Sequence, residues 1–260
     1  MLNSSVLKNN NYSHGDRIQR IESLDYPRRI MAISVMLYHY YSWSFGTLGV
    51  ETLLGKLGIY AVSIFYVLSG LSLTIVYYQR IKTISDISRF FIKRLFRIFP
   101  LFWLVITVSL LYRYIAGSGE LDVSLYIIFL NYSLLFSFFD PTAYLSTGAW
   151  SIGNEVVFYS VLVLAFFLSN KNIIVLSCII LLSFIIGFYI SNELLNSHQL
   201  LSKQWNTYIN PLNQFYLFMS GVVIGRIHNK IKVIPSLYAW LFIGAIFLLF
   251  CFFLLKEIAH

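Results

Sequence analysis

Long apolar runs recur along this chain, each bounded by short polar or charged stretches. Seven of them are 29–45, 57–78, 98–116, 150–169, 172–190, 208–226 and 235–255. They approach or reach the roughly 20 residues that a helix needs to cross a bilayer core of about 30 Å. The first is short, and the fourth opens on a polar patch. An eighth run, 123–139, contains Ser124, Asn131, Ser133 and Ser137. The pattern predicts an all-α, polytopic transmembrane helix bundle of seven to eight spans, with 123–139 marginal or re-entrant. Irregular segments at membrane depth are tolerated where protein or a watery cavity covers them. No internal repeat and no low-complexity tract is visible.

Composition confines the chain to the membrane. Of its 260 residues, 58% are hydrophobic and 12% charged, and mean hydropathy is +0.73. Soluble domains carry about 25% charged residues, so too few polar groups remain to cover a water-facing surface. Residues 1–20 are polar and Asn/Ser-rich and read as a cytoplasmic tail. Residues 21–260 read as one transmembrane domain, with no room for a separate soluble one. The first apolar run follows charges and has no small-residue cleavage site, so it reads as a retained anchor.

Charge orients the bundle. The net charge of +8 is concentrated at Arg17–Arg29, Arg80–Arg97 and Arg226–Lys232, all flanking apolar runs. That placement fits cytoplasmic loops beside anionic lipid and not a nucleic-acid-binding stripe. The most basic loop, Arg80–Arg97, is therefore placed in the cytoplasm, and the N-terminus with it. If 123–139 spans fully, Arg226–Lys232 falls outside; if it is re-entrant, that loop returns to the cytoplasm, the preferred arrangement. Cys178 and Cys251 lie inside apolar runs, and the five histidines are scattered. No metal-ligand spacing and no disulfide framework results.

Four constellations carry candidate chemistry. Arg28 and His39 stand eleven positions apart, which puts them on one helix face about 16 Å apart. An arginine at a mouth can hold phosphates, and an imidazole within a span can take a proton from a hydroxyl. The bland reading is a topology arginine plus an interfacial histidine beside Tyr40, Tyr41 and Trp43. Phe65–Gly70 places Ser69 and Gly70 in an apolar helix, which is first a signal for close helix approach. Arg89, Lys93, Arg94 and Arg97, followed by Pro100 and Trp103, line one side of a helix entering the membrane. Such a ridge suits either cofactor phosphates or lipid headgroups. Trp150, Ser151, Glu155 and Tyr159 open the fourth long run, with the last three sharing a face at i+4 spacing. A carboxylate inside an apolar run is costly unless paired. Glu155 could orient His39, stabilise its cation, or neutralise Arg28 or another buried arginine; it could equally be a structural ion pair.

Together and in this order, the four elements resemble acyltransferase family 3 of membrane proteins. The resemblance rests on Leu24-Asp25 and the Arg28–His39 pair, on Phe65–Gly70 running to Thr74, on Arg94, Arg97, Pro100 and Trp103, and on Trp150, Ser151, Glu155, Phe158 and Tyr159. It covers residues 20–165, beyond which only hydropathy agrees. Tyr66 stands where the family usually has phenylalanine, Pro27 where leucine is usual, and Gly153-Asn154 replaces a more apolar stretch.

The resemblance implies transfer of an acetyl or other short acyl group from acyl-CoA, usually acetyl-CoA, to a hydroxyl of a surface sugar such as O-antigen, capsule or exopolysaccharide. Acetyl-CoA is then a co-substrate, and no cofactor is permanently bound. It implies His39 as base or transient acyl acceptor, Arg28 as a contact to the donor or to Glu155, and Arg94 and Arg97 as phosphate binders. Ser69 and Gly70 would line or pack the channel, and Trp150, Ser151, Glu155 and Tyr159 would shape the site. The implied partners are membrane lipid, acyl-CoA and a glycan or lipid-linked saccharide, and the implied location is a bacterial inner membrane. Family members commonly have about ten spans, so this chain is a short member or lacks C-terminal helices. Two other readings of the same residues are a non-enzymatic transporter or lipid-linked sugar flippase, whose polar channel would also use buried charges, and an inactive scaffold of a polysaccharide-assembly complex.

Overall fold

The structure is a computed structural model. It describes residues 24–46, 48–49, 52–117, 119, 122–170, 172–196 and 199–228. The predicted tail 1–20 and the predicted span 235–255 lie outside these residues. The described residues form α-helices α1 (Asp25–Phe45), α2 (Leu53–Tyr77), α3 (Ile84–Ala116), α4 (Leu125–Tyr132), α5 (Phe136–Phe139), α6 (Ala149–Ser169), α7 (Ile173–Tyr189), α8 (Trp205–Ile209) and α9 (Pro211–His228). A π turn, Ile190–Leu194, extends α7.

Among the described residues, four helices are long and apolar enough to cross a membrane: Leu53–Tyr77, Ile84–Ala116, Ala149–Ser169 and Ile173–Leu194. That is fewer than the seven to eight spans expected. Helix α1 carries Arg28, Arg29 and His39, and α9 carries Asn213, Gln214 and Arg226, so neither is as apolar as those four. Leu101, Leu104, Val108, Leu111 and Ile115 on α3 are exposed. A row of large apolar side chains with no protein partner suits lipid.

Helix α3 begins well before the predicted 98–116. Thr83 and Asp86 form a reciprocal capping box at its start, satisfying two backbone donors that the first turn would otherwise leave unpaired. Pro100 therefore lies inside a continuous helix and neither starts nor stops it.

Side-chain contacts establish which helix ends lie together. Arg94 lies over the Tyr77 ring at 5.5 Å, Arg226 over Tyr78 at 3.8 Å, and Asn170 donates to the Ile81 carbonyl. The starts of α1 and α3 and the ends of α2, α6 and α9 thus share one basic end. The end of α1, the start of α2, the end of α3 and the start of α6 share the far end, where Arg113 of α3 reaches the Leu145 carbonyl.

Since α3 ends and α6 begins at the far end, 123–139 does not cross the bundle. It breaks into α4, eight residues or about 12 Å long, and the single turn α5. Between them Leu134 adopts φ 58° and is fully buried. The buried Asn131 side chain fastens the returning chain: it donates to the Ile127 and Ala143 carbonyls at 2.9 and 2.7 Å and accepts from the Leu145 amide at 3.0 Å. Asn131→Leu orphans the Ala143 and Leu145 groups, and each buried unpaired group costs about 1–3 kcal/mol. The expected result is a lower thermal midpoint in detergent and faster proteolysis between residues 140 and 148. An unchanged midpoint would contradict this role.

The core forms where α2, α6 and α9 meet. Tyr66, Leu73, Phe158, Leu162, Phe218 and Val222 are buried there. The α2–α9 contact is backbone on backbone. A Cβ on Gly70 would lie 2.1 Å from the Phe218 carbonyl oxygen, and one on Gly221 would lie 2.0 Å from that of Val67. Gly221 and Gly225 form a Gly-x-x-x-Gly step facing α2, the spacing that lets membrane helices approach closely. The sequence reading saw the packing value of Gly70 but missed its partners on α9.

Candidate active site

Helix α1 runs antiparallel to α2. Near the basic end, Arg28 donates to the Leu68 carbonyl at 3.0 Å and to Ser72 Oγ at 2.7 Å, with Asp25 at 3.5 Å on its other nitrogen. Ten residues on, the Tyr38 ring fills the notch at Gly58, where a Cβ would stand 2.3 Å away. Pro27 lies in the first turn of α1, where a missing N–H leaves no helical bond unmade. Arg28 is thus committed to α2 and its own helix turn. Of the partners considered for Glu155, Arg28 forms no ion pair with it among the described residues.

His39 lies on α1, half-buried, between the Tyr38 ring at 5.4 Å (edge-on) and the Trp43 ring at 5.6 Å (stacked). Among the described residues, no hydrogen bond or ion pair joins His39 to Glu155. The Glu155 carboxylate instead accepts from the Tyr159 hydroxyl at 2.6 Å. The i+4 spacing that put both on one face of α6 makes this bond possible.

Tyr159 is a meeting point. Its ring packs edge-on against Phe90 of α3 at 5.9 Å and against Phe218 of α9 at 6.4 Å. Arg94 turns inward, with its Nε buried and without a partner, while Arg97, three residues on, is exposed at the basic end. The fold therefore sets the Glu155–Tyr159 pair of α6 against Phe90 of α3, whose ring also meets Tyr77, the ring beneath Arg94, and it separates Arg94 from Arg97. Gly70, beside Ser69, supports the site by letting α9 close on α2.

A cavity of about 210 Å³ lies between α2 and α6, lined by Val62, Phe65, Tyr66, Ser151, Ile152 and Glu155. Val62 is one turn of α2, about 6 Å, from the Gly58 notch that receives Tyr38. His39 is not among the lining residues; it stands about one turn beyond the cavity toward the far end. Ser151 donates to the Gly148 carbonyl at 2.8 Å at the start of α6. The preceding Trp150 is buried edge-on against Trp205 at 5.7 Å and Tyr208 at 5.9 Å, and so anchors the α6 start without lining the cavity.

Gly153 and Asn154 seat this part of α6. A Cβ on Gly153 would meet Ser137 Oγ at 2.2 Å, so glycine lets α5 pack there. Asn154 is fully buried and donates to the Ile209 carbonyl at 2.8 Å. Tyr66 was noted in the sequence only as a departure from phenylalanine. Its place in the cavity depends on the α2–α6 register, which no local pattern encodes.

The arrangement presents a carboxylate and a phenol to a small, mainly apolar space, with cations toward one end and an imidazole toward the other. A family model described as an acyltransferase domain matches residues 21–257. No curated protein and no solved structure matches the chain. The family match takes in all four motifs and most of the described helices: the chain is an integral membrane protein of acyltransferase family 3.

Proposed function

We propose that this protein moves an acetyl or other short acyl group from acyl-CoA to a hydroxyl of a surface sugar, as in O-antigen, capsule or exopolysaccharide. The observation that carries the reading is an order along the bundle axis. Arg28, Arg94 and Arg97 belong to the basic end, the Glu155 cavity follows, and His39 stands one turn further on. A charged nucleotide thioester would dock its phosphates at the basic end, with the exposed Arg97 as the first contact. The acyl group would occupy the cavity, whose size suits a short chain. The acceptor hydroxyl would arrive between the cavity and His39, which takes its proton. Glu155, held by Tyr159, supplies the negative charge that favours the resulting imidazolium.

The positive-inside rule places the basic end, and with it the N-terminus, in the cytoplasm of a bacterial inner membrane. Acyl-CoA is a cytoplasmic metabolite, so donor and doorway then face the same compartment.

The test compares surface glycan from cells with and without the protein by mass spectrometry. The expected result is an added acyl mass, 42 Da for acetyl by the chemistry of esterification (about one C2H2O per site, set by the reaction's stoichiometry). Loss of glycan export in its absence, with no acylation ever detected, would support the flippase reading instead.

A further inference from the structure

We propose that Tyr66 is the oxyanion donor of this site, an inference that rests on the acyl-transfer reading. Val62, Phe65 and Ile152 offer no side-chain donor, and Glu155 as a carboxylate only accepts. Ser151 has its proton committed to the Gly148 carbonyl at 2.8 Å. Nearby, Tyr159 has its proton committed to Glu155 at 2.6 Å.

Tyr66 is different. The whole residue is 1% exposed, and its ring is wedged edge-on against Phe158 at 5.1 Å, so its position is set by the core. Among the described residues its hydroxyl donates one hydrogen bond, to the Ser151 carbonyl at 3.4 Å. Hydroxyl hydrogen bonds cluster near 2.7–2.8 Å (about 3.0 Å at the long end), so this contact barely holds the proton. Tyr66 is therefore the cavity-lining side chain with a donor to spare, and it is held by rigid packing. A preorganised donor aimed at developing charge in a dry site is the most effective kind of electrostatic catalyst. The hydroxyl also points the right way. The ring rests on Phe158, while its tip reaches Ser151, seven residues nearer the far end of α6, and so toward the level of His39.

The step balances as follows. The acceptor hydroxyl gives its proton to His39 as its oxygen forms a bond to the thioester carbonyl carbon. The carbonyl π pair moves onto oxygen, which accepts the Tyr66 hydrogen bond. The π bond re-forms as the C–S bond breaks, and the departing thiolate takes the proton from the imidazolium. The products are the sugar ester and free coenzyme A thiol, with His39 restored.

The experiment is Tyr66→Phe in the full-length protein, assayed with acetyl-CoA as donor and glycan isolated from a host lacking the protein as acceptor. Thiol release and acylated glycan are both measured. Phenylalanine keeps the ring against Phe158, so the thermal midpoint should hold. The expected result is a kcat lower by about 10²- to 10³-fold, the usual effect of removing one oxyanion donor, with KM for acetyl-CoA within about twofold. A kcat within threefold of wild type overturns the proposal (a change of about 0.7 kcal/mol at most), as does a rise in KM with kcat intact. Should Tyr66→Phe fail to fold, 3-fluorotyrosine at position 66 supplies the second variant. Its stronger phenol donor should keep kcat at or above wild type, and any fall overturns the proposal. If the wild-type protein neither releases thiol nor acylates glycan, the acyl-transfer reading itself fails; if it does both and Tyr66→Phe matches it, only the role of Tyr66 fails.

Discussion

His39→Ala is expected to lower acyl transfer by about 10²- to 10⁴-fold, the range for removing a positioned general base, while leaving the protein folded. The imidazole touches Tyr38 and Trp43 through ring contacts. Among the described residues it makes no hydrogen bond, so no polar network collapses with it. It is half-buried, so its truncation removes little apolar burial. Activity and stability should therefore separate: thiol release from acetyl-CoA in the presence of acceptor falls, and the thermal midpoint moves by a few degrees at most (about 1 kcal/mol of lost contact). His39→Gln, which keeps a polar group but cannot take the proton, should be as inactive as the alanine variant. Retention of wild-type kcat by either variant would remove His39 from the reaction.

Gly221→Leu is expected to prevent assembly of the α2–α9 core. A Cβ at this position would lie 2.0 Å from the Val67 carbonyl oxygen and 2.7 Å from the Leu71 amide nitrogen. Both obstacles are backbone, so no rotamer change relieves the clash, and the helices must separate along their length. Gly70 makes the same kind of contact with the Phe218 carbonyl, and Gly225 lies against the Thr74 side chain and the Leu71 carbonyl, so separation opens the interface at three levels. Overpacking of a tight interior typically costs about 1–3 kcal/mol for an added methyl or two. Gly221→Ala should therefore lower the thermal midpoint, and leucine should go beyond what the fold tolerates, with aggregation on size-exclusion chromatography in detergent. Because Tyr66 and Phe218 share the core that this interface closes, loss of activity should track loss of fold. A monodisperse Gly221→Leu variant with wild-type stability would show that the α2–α9 contact is looser than described.

The two predictions bear on different kinds of information. The membrane character, the helical class and the placement of Arg28, His39, Ser69, Arg94 and Glu155 in four ordered motifs were all legible in the chain. Each depends on local spacing or on the solvent preference of a contiguous run. Helix α3 starts upstream of the apolar run 98–116, as the one-sided spacing of Arg89, Lys93, Arg94 and Arg97 implied, because hydropathy marks where a helix enters lipid, whereas the capping box at Thr83 and Asp86 marks where the backbone starts to coil. The partners of Gly70 were overlooked even though Gly221 and Gly225 carried a visible spacing signal. The fate of 123–139 turned on Asn131, whose three hydrogen bonds hold a chain reversal that composition had only marked as marginal.

What the sequence determined by itself is a greasy helical bundle with a basic end, because apolar length and the position of cations act through solvation and need no partner. It also put Ser151, Glu155 and Tyr159 on one face of a helix, because residues four apart are neighbours whatever surrounds them, but the structure decided that Tyr159 bonds to Glu155 while Ser151 turns to the Gly148 carbonyl. Only the tertiary structure decided that Arg28 is committed to Leu68 and Ser72, that Arg94 turns inward while Arg97 does not, and that Tyr66 rather than His39 lines the cavity. Those outcomes depend on the register between helices far apart in the chain. That register is set by glycine notches at positions 58, 70 and 221 and by aromatic wedges, whose fit exists only once both surfaces have met.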